Sequence, residues 1–91
     1  MYYFYILLCD KALFYTGITT GLDKRIRNHK SGYSPHTKRY KSIELVYTEN
    51  YLRRSEAEKR EEQIKGWSKQ KKRALIEGNL TKLRQLSKGK S

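Results

Sequence analysis

Residues 2–8 constrain the fold more than any other part of the chain. They read Tyr-Tyr-Phe-Tyr-Ile-Leu-Leu, a run that is rich in strand-forming residues and too short for a core helix. Successive side chains of a strand point to opposite faces of its sheet, so a run without polar alternation predicts a strand that is covered on both faces. The chain is therefore expected to pack other elements on each side of this strand.

Two further segments complete the predicted sheet. Residues 13–16 predict a second strand, which a short turn at residues 9–12 joins to the first in antiparallel pairing. Gly17 is expected to end that strand, because glycine permits a turn or a close backbone approach. Residues 43–48 alternate well enough to predict a third, half-buried strand.

Helical patterns follow the second and third strands. Residues 22–29 carry Leu, Ile and His at i, i+4 and i+7, which is helical spacing. Residues 52–68 predict a second helix with Ser55 as its N-cap, residues 69–76 a third, and the leucines within 80–86 a last turn or two. The expected class is α+β, a three-stranded antiparallel sheet flanked by helices in the order β-β-α-β-α-α.

The length of 91 residues corresponds to a single domain. We expect this domain to span residues 1–86 and residues 87–91 to form a disordered basic tail. Because the chain has eight tyrosines and only two phenylalanines, several rings are expected at the boundary between core and solvent, where a hydroxyl can find a partner.

The charge balance points to a polyanionic partner. The chain has 21 Lys and Arg against nine Asp and Glu, a net charge of +12, more than the solubility of a small domain requires. Nucleic acid is the first candidate, an anionic membrane surface the second, and a merely basic protein the alternative. No apolar run approaches the roughly 20 residues that span a bilayer, so no membrane association is predicted.

The N-terminus and the cysteine content bear on location and metal binding. The first eight residues lack the basic region and the cleavage site of a signal peptide, which predicts a cytoplasmic protein. The single Cys9 excludes an internal disulfide, and with two histidines far from it in sequence it argues against a zinc site.

Helical phase selects candidate functional side chains in the first helix. At about 100° per residue, Arg25 lies roughly 40° from His29 and roughly 60° from Leu22, whereas Arg27 is turned about 140° away from Leu22. Arg25 and His29 are therefore expected to border the buried face of this helix.

The second helix contains one carboxylate that is expected to point inward. Glu61 lies roughly 40° from Ala57 and roughly 60° from Ile64, the apolar side of the helix. A buried carboxylate is unfavourable unless it is paired or metal-bound. From spacing alone, a salt bridge to Arg54 or Arg25 and a metal site are both open.

These residues, in this order, resemble the GIY-YIG endonuclease superfamily, in particular its small single-domain proteins related to an N-terminal domain of excinuclease ABC. Tyr3-Phe4-Tyr5 stands where the family has Gly-Ile-Tyr, with Tyr3 replacing the glycine, and Tyr15-Thr16-Gly17 stands for Tyr-Ile-Gly. The resemblance covers roughly residues 2–80. The family's catalytic arginine, a common histidine, the metal-binding glutamate and a late asparagine fall, in turn, on Arg25, His29, Glu61 and Asn79.

The resemblance implies a metal-dependent, structure-directed DNA endonuclease of repair or recombination. Glu61 would hold a single Mg²⁺ or Mn²⁺, and Arg25 would bind a phosphate through its planar guanidinium. Tyr5 or Tyr15, with a pKa lowered by the metal and the arginine, would act as general base, Tyr5 being preferred. His29 would relay a proton or orient a tyrosine hydroxyl. Asn79 would bind phosphate or brace the helix that carries Glu61.

The remaining basic residues are expected to contact the nucleic-acid backbone without regard to sequence. The candidates are Lys38, Arg39, Lys41, Lys69, Lys71, Lys72 and Arg73. Two other interpretations stay open. The chain could be a nucleic-acid-binding module with little or no catalysis, or a basic accessory protein that docks onto an acidic protein partner. The residues do not distinguish DNA from RNA.

Overall fold

A computed structural model describes residues 1–32, 35 and 37–88. The strands are β1 (Tyr2–Cys9), β2 (Leu13–Thr19) and β3 (Ile43–Tyr51), and the helices are α1 (Leu22–Lys30), α2 (Arg54–Lys65), α3 (Lys69–Glu77) and α4 (Leu80–Lys88). The strands form an antiparallel sheet in the order β2-β1-β3. The predicted α+β class is confirmed. The element order is β-β-α-β-α-α-α, because the leucines of residues 80–86 form a full fourth helix.

The central strand β1 is covered on both faces, as its sequence predicts. Phe4 and Ile6 are fully buried against Ile64 of α2. Tyr5 and Leu7 point to the opposite face, together with side chains of α1 and of the segment before β3. The sheet thus separates two small cores, one under α2 and α3 and one under α1.

Strand β2 is longer than the sequence predicts. It continues through Gly17 to Thr19, and Gly17 pairs with Tyr5 of β1. The prediction that Gly17 ends the strand is therefore wrong. Glycine is required at this position by a close approach of the Tyr5 ring and not by a turn.

The helix ends follow local hydrogen bonding. Helix α2 begins at Arg54, one residue before the predicted N-cap Ser55, and the N–H of Arg53 donates to Oε1 of Glu56 at 3.3 Å. Helix α3 ends at Gly78, whose φ of +71° is the left-handed conformation that glycine favours. Asn79 then caps α4, since its Oδ1 accepts from the N–H of Lys82 at 3.0 Å.

Helix α4 reaches two residues into the segment predicted as a disordered tail. Residues 89–91 of that segment lie outside the described residues. Among the helices that the structure describes, none is long and apolar enough to cross a membrane.

An ion cluster ties β3 to α2. The guanidinium of Arg60 donates to both carboxylate oxygens of Glu49, from Nε at 2.9 Å and from a terminal nitrogen at 3.1 Å. The hydroxyls of Tyr47 and Tyr51 also donate to this carboxylate. Burial alone would raise the pKa of Glu49, but these hydrogen bonds hold it below its usual value. The cluster fixes the position of α2, and hence of Glu61, on the sheet.

Candidate active site

Gly17 lets a tyrosine lie across β2. A methyl group built on Gly17 would stand 2.5 Å from the hydroxyl oxygen of Tyr5 and 2.6 Å from the ring carbon that bears it. Any side chain at this position would therefore displace the Tyr5 ring, which is itself only 1% exposed. Glycine in the second motif is thus explained by the tyrosine of the first, its direct neighbour across the strands.

The Tyr5 hydroxyl begins a buried hydrogen-bonded chain. It lies 3.0 Å from Nε2 of His29, and Nδ1 of the same ring lies 2.7 Å from the hydroxyl of Thr37. His29 is 1% exposed and Thr37 is fully buried. Because each ring nitrogen has a hydroxyl partner, the orientation of the imidazole is fixed. The ring of Tyr15 also packs edge-on against His29, with centroids 5.3 Å apart.

Glu61 approaches the same strand from the other face of the sheet. Its Oε2 accepts a hydrogen bond from the hydroxyl of Thr16 at 2.6 Å. A groove of about 420 Å³ runs beside these two residues, lined by residues 14–18 of β2 and by Glu61, Lys65 and Lys72. We refer to it as the Glu61 groove. Burial lowers the pKa of Lys72, and the negative charge of Glu61 opposes that shift.

Arg25 lies in a second groove at the C-terminal end of β2. This groove, of about 180 Å³, is called the Arg25 groove and is lined by Tyr2, Ile18, Thr19, Thr20, Arg25 and Arg54. The prediction that Arg25 borders the buried face of α1 is met only in part, because Arg25 is solvent-exposed whereas His29 is buried. The first motif residue Tyr3 is half-buried in β1, between Thr19 and Asn50.

Electrostatics link the tyrosines to both charged residues. Burial raises the pKa of Tyr5 to about 12, with a further increase from Tyr15, while Arg25 acts to lower it. Burial likewise raises the pKa of Tyr15, where Arg25 lowers it and Glu61 raises it. The positive charge of Arg25 thus has the predicted effect on both hydroxyls, but burial outweighs it in the protein alone.

The carboxylate of Glu61 is suited to a divalent cation. Within the described part of the chain no cationic side chain lies within 4.0 Å of it, and Arg54 instead pairs with Glu58 at 3.7 Å. The alternative of a salt bridge from Arg54 or Arg25 is therefore wrong. No group of three or more metal-ligating side chains occurs among the residues described. A single hard oxygen donor of this kind suits Mg²⁺, which retains most of its own waters.

The other predicted residues lie away from these grooves or differ among themselves. Asn79 is exposed and caps α4, and it lines neither groove. On the loop before β3, Arg39 lies over the ring of Tyr40. In α3 the ammonium of Lys71 lies 4.3 Å from the centroid of the Trp67 ring. The remaining basic candidates on the surface are Lys38, Lys41, Lys69 and Arg73.

Three residues of the site were not predicted from the sequence as part of it. Thr16 could have been found by alternation, because it must face away from Tyr15 and hence toward the helix that carries Glu61. Lys65 follows Glu61 by one helical turn, which also places it on the groove. Thr37 lies in a loop without periodicity, and nothing in the sequence pattern indicates that it contacts His29.

The fold and the site define a GIY-YIG catalytic domain. The profile of that family matches residues 1–74, which confirms the resemblance drawn from the motifs, and the chain belongs to the GIY-YIG family. This is a family of nuclease domains, so its substrates are nucleic acids.

Its relatives include proteins of the UPF0213 group from bacteria and archaea. A UPF0213 protein of Staphylococcus saprophyticus is 42% identical over 76 residues, covering 82% of this chain and 93% of the relative. One from Natronomonas pharaonis is 37% identical, covering 82% and 89%. Among solved structures, a UPF0213 protein of Bacillus halodurans aligns with a TM-score of 0.55 at 37% identity, covering 85% and 84%. A protein of E. faecalis aligns with a TM-score of 0.58 at 38% identity, covering 87% and 86%.

Proposed function

We propose that this chain is a divalent-metal-dependent DNA endonuclease that hydrolyses phosphodiester bonds in branched or nicked structures during repair or recombination. The observation that supports this most strongly is the convergence on one strand of a hydroxyl, a cation and a carboxylate. Tyr15, Arg25 and Glu61 all line grooves along β2, and both charges act on the tyrosine. Phosphodiester hydrolysis needs these three functions: water activation, neutralisation of the phosphoryl charge and metal binding.

Each side chain has a role that its position supports. Arg25 binds the phosphoryl oxygens of the reacting phosphate through its fork of N–H donors. Tyr15 is placed to remove a proton from the attacking water, since it lines the Glu61 groove. Tyr5, which is preferred on sequence grounds, is 1% exposed, so we assign it with His29 to holding the site and to accepting a proton from it.

Glu61 would hold the Mg²⁺ or Mn²⁺ ion, oriented by its hydrogen bond from Thr16. Such an ion supplies positive charge that stabilises the reacting phosphate and lowers the pKa of a bound water. The same charge would act on Tyr15, whose pKa is raised in the protein alone.

A nucleic-acid-binding module on the same scaffold is the second candidate. One observation favours it: burial raises the pKa of Tyr5 to about 12 and also raises that of Tyr15, which is opposite to what a general base at neutral pH requires. In such a module Arg25 and the basic side chains would bind the backbone, and Glu61 would serve only to anchor Thr16.

A cleavage assay separates the two candidates. Branched, nicked and linear DNA, with RNA of the same design, is incubated with the protein in Mg²⁺, in Mn²⁺ and in EDTA. We expect metal-dependent cleavage that is fastest on branched or nicked DNA. Glu61→Ala and Arg25→Ala are expected to reduce the rate by a factor of about 100 or more.

Two neighbours provide matched controls. Glu62 and Arg27 are exposed side chains on the same helices as Glu61 and Arg25, and their substitution by Ala is expected to leave the rate within about threefold of the wild type. Cleavage that survives both Glu61→Ala and Arg25→Ala would overturn the assigned mechanism. Tight binding without cleavage in any metal would instead establish the binding module.

A further inference from the structure

The two grooves meet on one edge of the sheet. The Glu61 groove extends along β2 as far as Ile18, and the Arg25 groove begins at Ile18 and continues to Thr20. They are therefore consecutive along the strand. An elongated ligand lying against this edge would occupy both.

The edge itself offers hydrogen bonds. Among the described strands, β2 pairs with β1 alone and forms one border of the sheet. Alternate residues of a border strand present their N–H and C=O groups outward. Backbone N–H groups between two basic grooves suit a ligand that carries negative oxygens at regular intervals.

One lysine of α3 is distinguished from the other cations of that helix. Lys72 is half-buried and lines the Glu61 groove. Lys71 lies over the Trp67 ring, and Lys69 is exposed and lines neither groove. Lys72 is thus the α3 cation that a ligand in this groove would meet.

One arginine is distinguished in the same way at the other end. Arg54 lines the Arg25 groove, whereas its exposed neighbour Arg53 does not. The ion pair of Arg54 with Glu58 joins side chains that are 67% and 54% exposed, so it does little to hold the guanidinium away from a ligand.

We propose that one strand of the nucleic acid lies along the free edge of β2, with the phosphates on either side of the reacting phosphate bound by Lys72 and by Arg54. The assignment rests on the proposed function for the position of the reacting phosphate, between Glu61 and Arg25. It adds two residues that bind substrate without taking part in the chemistry. It also predicts that the remaining basic residues of α3 contribute less.

Binding without metal tests this directly. A short fluorescein-labelled oligothymidylate is titrated in EDTA at fixed low salt with the wild type and with Lys72→Ala, Arg54→Ala, Lys69→Ala and Arg53→Ala. We expect the first two substitutions to weaken binding about tenfold each, as for the loss of a charge-assisted contact. The two controls, which remove the same charge from the same helix or its first turn, are expected to weaken it by less than about threefold.

Further measurements keep the outcomes distinct. Thermal unfolding of each variant verifies that the fold is intact, and Lys72→Gln, which keeps most of the stem length, is expected to repeat the loss. If Lys72→Ala and Arg54→Ala weaken binding no more than their controls do, the path along β2 is wrong. If the path is supported but the wild type cleaves no substrate in any metal, the endonuclease proposal fails while the binding path stands.

Discussion

Gly17→Ala tests the packing on which the site is built. The backbone of Gly17 lies in a strand, so alanine is not excluded by conformation. The added methyl group, however, would meet the Tyr5 hydroxyl oxygen at 2.5 Å. To reach an ordinary contact distance of 3.4 Å, the two must separate by about 0.9 Å. Because Tyr5 is 1% exposed, its ring has no free space in which to move.

The magnitude follows from what that displacement breaks. The Tyr5 hydroxyl lies 3.0 Å from Nε2 of His29, and a shift of this size would lengthen or break the hydrogen bond. Overpacking a core costs about 1–3 kcal/mol, and a buried hydroxyl left without a partner costs about 1–3 kcal/mol more. Replacing glycine in a strand returns less than about 1 kcal/mol. We expect the free energy of unfolding to fall by about 2–4 kcal/mol.

Urea unfolding followed by tyrosine fluorescence or circular dichroism measures this change, and the NMR resonances of His29 report the hydrogen bond. Gly66→Ala is the matched control, because the nearest atom to a methyl group there is 3.8 Å away, and it is expected to be neutral or slightly stabilising. A Gly17→Ala protein that equals the wild type in both stability and His29 resonances would refute the packing argument.

Three further predictions concern pH and salt. At pH 7, Glu49→Gln is expected to lower the free energy of unfolding by about 2 kcal/mol; because the folded pKa of Glu49 is depressed, the wild-type advantage is present above about pH 4.3 and is lost as the pH falls through the folded pKa, which urea unfolding between pH 3 and 7 measures. The raised pKa of Tyr5, about 12, favours folding below the unfolded pKa of about 10 and is lost as the pH rises through 12, so alkaline unfolding should be shallower in Tyr5→Phe. DNA affinity should fall by a factor of about 10³ or more between 50 and 200 mM salt if six or more phosphates are neutralised, and an affinity that does not change with salt would contradict backbone binding.

Periodicity predicts much of the fold and part of the site. The aromatic run of β1 predicts a strand covered on both faces, and the structure has a core on each side of it. Helical phase predicts that His29 points inward, and it is buried. These predictions succeed because one side chain's direction follows from its neighbours' spacing.

Phase alone does not report depth or partners. Arg25 and His29 lie on nearly the same side of α1, yet one is exposed and the other is buried, since the distance of each turn from the sheet differs. The partner of Glu61 is a hydroxyl of β2 and not an arginine, which depends on how α2 is placed across the sheet. Gly17 permits a side-chain approach instead of a turn, and only the three-dimensional pairing with Tyr5 distinguishes these two uses of glycine.

The central claim is that the charge of Glu61 serves catalysis by holding a divalent cation beside the reacting phosphate. Glu61→Gln removes that charge and retains an oxygen that can accept the hydrogen bond from Thr16, while Glu62→Gln changes an exposed neighbour in the same way. The most direct measurement is the single-turnover cleavage rate of branched DNA in Mn²⁺ for the two variants. The account predicts a loss of about 100-fold or more for Glu61→Gln, with DNA binding in EDTA unchanged, and a rate near wild type for Glu62→Gln. Equal rates for the two variants would contradict it.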